Sequence, residues 1–117
     1  MHCRAARAED TDWPQILRLY DLLERLQPSP IVSLNRAVAV AFVHGIPPAL
    51  AIIDRLISTG ELDGYHLLHS ARADLLRRMG DTGEAEKAYE KALALVTNDS
   101  ERRFLERRLL EVQSLSA

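Results

Sequence analysis

Of the thirteen residues from Ile31 to Val43, only Ser33, Asn35 and Arg36 are neither apolar nor alanine. A segment so apolar around its whole circumference cannot lie on a surface with one wet face, so other elements must cover it on most sides. The run Val38-Ala39-Val40-Ala41-Phe42-Val43 alternates and is partly β-branched, which would also suit a buried strand. Its alanines, its length and its neighbours favour a helix.

The flanking sequence supplies that cover as amphipathic helices. Upstream, Asp12 can cap a helix in which Pro14 sits in the first turn, where a missing N–H forfeits no ladder bond. Ile16, Leu19, Tyr20, Leu23 and Leu26 recur at three- and four-residue steps opposite Arg18, Asp21 and Arg25, which predicts an inward stripe. Pro28-Ser29-Pro30 then stops this first helix, since neither proline can continue a ladder and Ser29 is biased away from helical angles. Downstream, His44-Gly45 ends the apolar helix with a glycine able to take left-handed angles. Pro47-Pro48 opens the next, whose stripe is Leu50, Ile53, Leu56 and Ile57.

After Gly60 and the Asp63-Gly64 turn, a fourth helix is expected from about Tyr65 to Met79, with Leu68, Ala71, Leu75, Leu76 and Met79 inward and Gly80 closing it. Asp81 with Glu84 has capping-box spacing, and Ala85, Ala88, Tyr89, Ala92, Leu93 and Val96 form one face of a fifth. Asn98 with Glu101 repeats the device before a last helix with Leu105, Leu109 and Val112 inward. The expected fold class is all-α, about six antiparallel helices with short connections.

Gly80-Asp81-Thr82-Gly83-Glu84-Ala85, followed by Ala88-Tyr89 and Ala92-Leu93, resembles the second half of a tetratricopeptide repeat (TPR). Small Ala85 and Ala92 let helices approach, Tyr89 fills the gap, and Gly80 permits the tight turn. On a frame of about 34 residues the repeat runs over 66–99. It then has Ala73 where the pattern prefers glycine, Leu76 where it prefers an aromatic and Thr97 where it prefers proline. Gly45 stands one repeat length before Gly80, so 31–64 reads as a more degenerate unit. Helices over about 13–27 and 99–115 would be the caps a stack needs. The expectation is one TPR-like helical-hairpin domain over 1–117.

The composition excludes several functions. With 117 residues and 47% hydrophobic content the chain suits a single core. Fifteen Lys and Arg against seventeen Asp and Glu leave a net charge of −2, unlike a domain held mainly by phosphates, so no direct nucleic-acid binding is expected. Cys3 is the only cysteine, which excludes an intrachain disulfide and a cysteine metal framework and suits a reducing cytoplasm. Asn35, Arg36 and His44 interrupt the longest apolar stretch, so no membrane span is expected, and the charged stretch from Met1 to Asp12 lacks the apolar core of a signal peptide. There is no Gly-rich phosphate loop, nucleophile elbow or catalytic carboxylate pair, so the expectation is a non-enzyme without a cofactor.

Three stretches in order carry a more specific resemblance. They are Asp12-Trp13-Pro14-Gln15-Ile16 through Leu19-Tyr20-Asp21, Pro28-Ser29-Pro30 through Asn35-Arg36-Ala37-Val38-Ala39-Val40, and Gly64-Tyr65-His66-Leu67-Leu68 through Arg72-Ala73-Asp74-Leu75-Leu76. Together they resemble the C-terminal TPR-like extension of a group of extracytoplasmic-function (ECF) RNA polymerase sigma factors, over nearly the whole chain. Nothing in the chain resembles the promoter-contacting sigma regions that precede the extension in that family. Met1 to Ala8 reads as the end of a helix that begins outside the chain. The resemblance implies a domain that modulates initiation by packing on sigma regions or RNA polymerase, or by receiving a regulator.

Asn35 and Arg36 are the polar pair in the apolar helix. Either Arg36 reaches an acidic residue within the fold and Asn35 a loop carbonyl, or both face a concave groove. On the repeat frame Leu67, Ser70, Asp74 and Arg77 lie on the inner face of the fourth helix, where TPR grooves meet ligands; a plain exposed pairing of Asp74 with Arg77 and Arg78 is the alternative. His66 and His69 are one turn apart, but with four histidines in the chain and no carboxylate at ligand spacing a structural or solvated role is expected, and no metal. Arg102, Arg103, Arg107 and Arg108 alternate with Glu101, Glu106 and Glu111, which reads as an ion-paired face, and Trp13 reads as a packing anchor.

The candidate partner-binding set is therefore Asn35, Arg36, His66, Leu67, Ser70, Asp74 and Arg77. The expected partner is protein, either sigma regions or RNA polymerase, and stacking of exposed repeat ends leaves a homodimer open. The rival reading is a small-molecule sensor whose cavity borders the second helix, with Asn35, Arg36 and His66 as its polar contacts.

Overall fold

The computed structural model describes residues 11–116, among which there are six α-helices and no strand. They are α1 (Trp13–Leu26), α2 (Pro30–Val43), α3 (Ile46–Thr59), α4 (His66–Met79), α5 (Thr82–Leu95) and α6 (Asp99–Ser116). The helix end expected within Met1 to Ala8, and Cys3, lie outside the described residues. The apolar run is helical, as its alanines and neighbours predict.

Side-chain caps start four of these helices, three of them at the expected residues Asp12, Asp81 and Asn98 and the fourth at Ser29, which the sequence marked only as a helix stop. Asp12 accepts from the Gln15 N–H at 3.1 Å, Ser29 from Ile31 at 3.2 Å, Asp81 from Glu84 at 3.3 Å and Asn98 from Glu101 at 3.0 Å. At the end of α4, Gly80 takes φ +92°, its N–H donates to the Arg77 carbonyl at 3.1 Å, and the Asp81 N–H donates to Leu76 at 2.9 Å. Those two overlapping bonds satisfy carbonyls the helix leaves open, and only glycine meets the left-handed angle without strain.

Contacts between helices fix their directions. Trp13 at the start of α1 stacks on Phe42 at the end of α2, with centroids 4.1 Å apart and planes 6° from parallel. Gln113 late in α6 donates to Glu86 early in α5 at 3.2 Å. Helices α1 and α2 thus run antiparallel, as do α5 and α6. Two contacts tie α4 to α2 and α6: Arg78 of α4 sits 5.0 Å from the centre of the Phe42 ring, and His66 of α4 pairs with Glu101 of α6.

Packing divides the helices into trios. The pairs α1–α2, α2–α3, α4–α5 and α5–α6 bury extensive surface, whereas α3 meets α4 across a much sparser seam and α2 touches α4 only lightly. One core nevertheless runs through both trios, from Leu34, Ala37 and Ile53 to Leu68, Tyr89, Leu105 and Val112. The stripes expected on α3, α5 and α6 are inward, with Ile57, Leu93 and Leu109 partly covered at their margins.

Two inward assignments are corrected. In α1 the buried residue is Leu17, flanked by half-buried Trp13, Ile16 and Tyr20, while Leu19, Leu22, Leu23 and Leu26 are exposed. Residues 13, 16, 17 and 20 form one helical stripe and 19, 22, 23 and 26 another, so periodicity alone fits both. The first carries Trp13 and lies beside Asp21 and Glu24, which bond Arg36 and Ser33 of α2, and that side faces inward. Met79 at the end of α4 is also exposed, and its expected place in the core is taken partly by Ala73 and His69. Leu62, in the turn before α4, is an addition to the core that no periodicity marked.

Candidate functional site

The face formed by α2, α4 and α6 carries an open groove where α2 and α4 diverge. Its cavity, about 270 Å3, is floored by Leu34 and Val38 of α2 and Ala71 of α4, and rimmed by Asn35, Leu67 and Ser70. Tyr65, immediately before α4, lines it as well. The opening follows from local sequence. Gly64 takes φ +86° and the Tyr65 N–H bonds the Leu62 carbonyl at 2.9 Å, so the chain turns into α4 several residues beyond the end of α3. That longer link lets α4 stand away from α2.

The seven candidate residues fall into three groups. Asn35, Leu67 and Ser70 come together on the groove, with Asn35 and Leu67 exposed. Arg36 turns away from it, and its Nε donates to Asp21 of α1 at 2.6 Å. Its charge is therefore neutralised between the first two helices, the arrangement expected for a charged residue in an apolar helix. His66 pairs through Nε2 with Glu101 of α6 and does not line the groove.

Asp74 and Arg77 form the third group. Arg77 Nη2 donates to Asp74 at 2.6 Å and its Nε donates to the Tyr89 hydroxyl at 3.3 Å, while Arg78 Nε lies 3.1 Å from the other Asp74 oxygen. The hydrogen bond to Asp74 raises the Arg77 pKa above its ordinary value, and burial raises that of Tyr89. This network keeps one edge free for solvent and joins α4 to the middle of α5. Through Arg78, Phe42 and Trp13 it continues to α1, a chain of contacts the sequence did not disclose because its members lie on three different elements. Trp13 is thus a packing anchor, with its indole nitrogen buried and without a hydrogen-bond acceptor among the described residues.

His69, one turn from His66, does not join it but lines a separate cavity against α3 and α5. Among the described residues no group of three histidine, cysteine or acidic side chains is placed to hold a metal. On α6 the arginines are partly engaged. Arg108 pairs with Glu111 at 3.0 Å and lies 5.3 Å from the Phe104 ring centre, and Arg102 donates to the Val96 carbonyl at 3.3 Å. Among the described residues no helix is long and apolar enough to cross a membrane.

No family model matches the chain. It is 48% identical over 110 residues to an uncharacterized protein of Rhizobium meliloti strain 1021, an alignment that covers 93% of this chain and 25% of that protein. The chain therefore spans about a quarter of the length of the curated relative it matches.

Proposed function

We propose that the chain is a TPR-like protein-interaction module of the kind found as the C-terminal extension of ECF sigma factors, and that it modulates transcription initiation through contacts with sigma regions or RNA polymerase. The observation that carries this reading is the groove between α2 and α4. It gathers Asn35, Leu67 and Ser70 around an apolar floor on the face where a TPR-type stack receives polypeptide. Such a surface, with apolar area at its centre and polar groups at its edge, has the anatomy of a site for an extended segment or a helix. The repeat-like spacing of Gly80, Ala85, Tyr89 and Ala92, all but the glycine buried between helices, supports the TPR-like packing. The match to a quarter of a longer relative supports a role as a module of a larger protein. The exposed stripe of Leu19, Leu22, Leu23 and Leu26 offers the same partner a second apolar surface.

The test is binding of the full chain to immobilised bacterial RNA polymerase core and to isolated sigma regions, beside an Asn35→Ala/Leu67→Ser variant shown by circular dichroism to keep its helices. The expected result is capture by the parent chain and a loss of at least about tenfold in the variant, since truncating central interface residues costs on the order of 1–2 kcal/mol. A parent chain that binds neither protein, or a variant that binds as well as the parent, rejects the reading.

A further inference from the structure

The cavity lined by His69 is the larger of the two, about 410 Å3, and it sits on the sparse seam between the trios. Three helices supply its walls. Asp54, Ile57 and Ser58 come from α3, His69 and Arg72 from α4, and Lys87, Ala88 and Lys91 from α5.

The charges in it are unequally matched. Arg72 Nε donates to Asp54 at 2.9 Å and its Nη2 lies 3.9 Å from Glu84, which also receives Lys87 at 3.3 Å. The two carboxylates nearest the cavity are thus already engaged by Arg72 and Lys87. Lys91 makes no ion pair among the described residues, and the further carboxylate that acts on His69, Asp63, does not line the cavity, so the lining itself carries more positive than negative charge. The Ser58 hydroxyl donates to the Arg55 carbonyl at 2.8 Å and has no proton to offer a ligand.

His69 is the second, independent feature. The residue is only 8% exposed and makes no hydrogen bond among the described residues, and its ring nitrogens keep contact with solvent on the cavity side. An imidazole whose ring is packed in the wall while its nitrogens stay free is open to a hydrogen bond from a ligand in the cavity.

We propose that this cavity binds a small organic anion, its charged oxygens meeting Lys91, Lys87 and His69 and its short apolar body resting on Ile57 and Ala88. The only carboxylate lining the cavity among the described residues is Asp54, which Arg72 already holds, so a cation is poorly matched there. A polyanion would face Asp54 and Glu84 on the rim, so the surplus charge suits a compact ligand with one anionic group. Arg72, clamped by Asp54, holds the α3 and α4 walls together and adds positive field without leaving its carboxylate. A ligand in this position touches both trios and ties the seam, so it raises the melting temperature by mass action. It also favours the protonated imidazole. Asp63 adds to that preference, and burial, Lys91 and Arg72 oppose it, while Asp54 and Lys87 also line the cavity.

The experiment is an NMR titration of the full chain with benzoate, phenyl phosphate and the neutral analogue benzamide, repeated on Lys91→Ala, an exposed position whose truncation leaves the core intact. The expected result is saturable shifts at His69, Ile57 and Ala88 with one or both anions. Affinity is at least about tenfold weaker for benzamide and about three- to tenfold weaker in Lys91→Ala, on the scale of one charge-assisted contact. Benzoate stays ionised well below neutral pH, and its affinity should rise as the pH falls from about 7.5 to about 6, with His69→Gln abolishing that rise. Absence of saturable shifts with both anions, equal binding of benzamide, or undiminished binding by Lys91→Ala overturns the proposal.

Discussion

Helix α4 meets α5 through fully buried small residues, Ala73 on one side and Ala85 and Ala92 on the other, with the Tyr89 ring filling what remains at 1% exposure. Helix α1 meets α2 through Leu17 at 6% exposure and the half-buried flanks Trp13, Ile16 and Tyr20, and leaves four leucines in solvent. Small residues bring backbones close enough for one aromatic side chain to close the interface, so little apolar surface is left over. The α1–α2 interface is built from large side chains on a helix with two apolar stripes, and α2 can cover only one of them. The α4–α5 interface thereby uses up its facing apolar surface, whereas α1 keeps a whole leucine stripe uncovered.

The largest effect expected is at the centre of the tighter trio. Tyr89→Ala removes a fully buried ring and the acceptor that holds Arg77, and should cost about 3–5 kcal/mol of unfolding free energy in urea denaturation. A loss under about 1 kcal/mol would mean that α4 and α5 are not held by this side chain.

The next compares the two stripes of α1. Leu17→Ala should cost about 2–3 kcal/mol and Leu23→Ala no more than about 0.5, read in the same denaturation series. The opposite order would mean that α1 presents its other face to α2, which would also break the Asp21–Arg36 pair.

The smallest effect lies at the seam between the trios. Burial, together with Lys91 and Arg72, holds the His69 pKa below its ordinary value of 6.5, against the weaker pull of Asp63. The unfolded chain then takes up this proton at a higher pH than the folded one. The stability linked to it is fully present above about pH 6.5 and is lost as the pH falls from there through the folded value. Denaturation midpoints across that range should decline for the parent and decline less for His69→Gln; parallel slopes would show that the imidazole is not held neutral by the fold.

Much of this architecture was legible one helix at a time. Asp12, Asp81 and Asn98 are short polar residues just ahead of apolar periodicity, and each accepts a first-turn N–H because that bond is made within its own three residues. Gly80 was legible for the same reason, since its left-handed angle is a local demand. The face of α5 was clear because its small residues and Tyr89 recur on one stripe and no other. The site was legible only in part. Asn35, Leu67 and Ser70 do share the groove, but Arg36 and His66 are drawn to Asp21 and Glu101 on helices that sequence spacing does not bring near them.

The sequence by itself therefore determined the six helices, their ends and the close pairing of α4 with α5, because capping, turn angles and a single apolar stripe are settled within a few residues. Only the tertiary structure decided which stripe of α1 turns inward, which carboxylate takes each arginine, and that α3, α4 and α5 enclose a cavity around His69. Those outcomes depend on which surfaces of different helices meet, and the free energy of covering one apolar face rather than another is set by the neighbour that covers it.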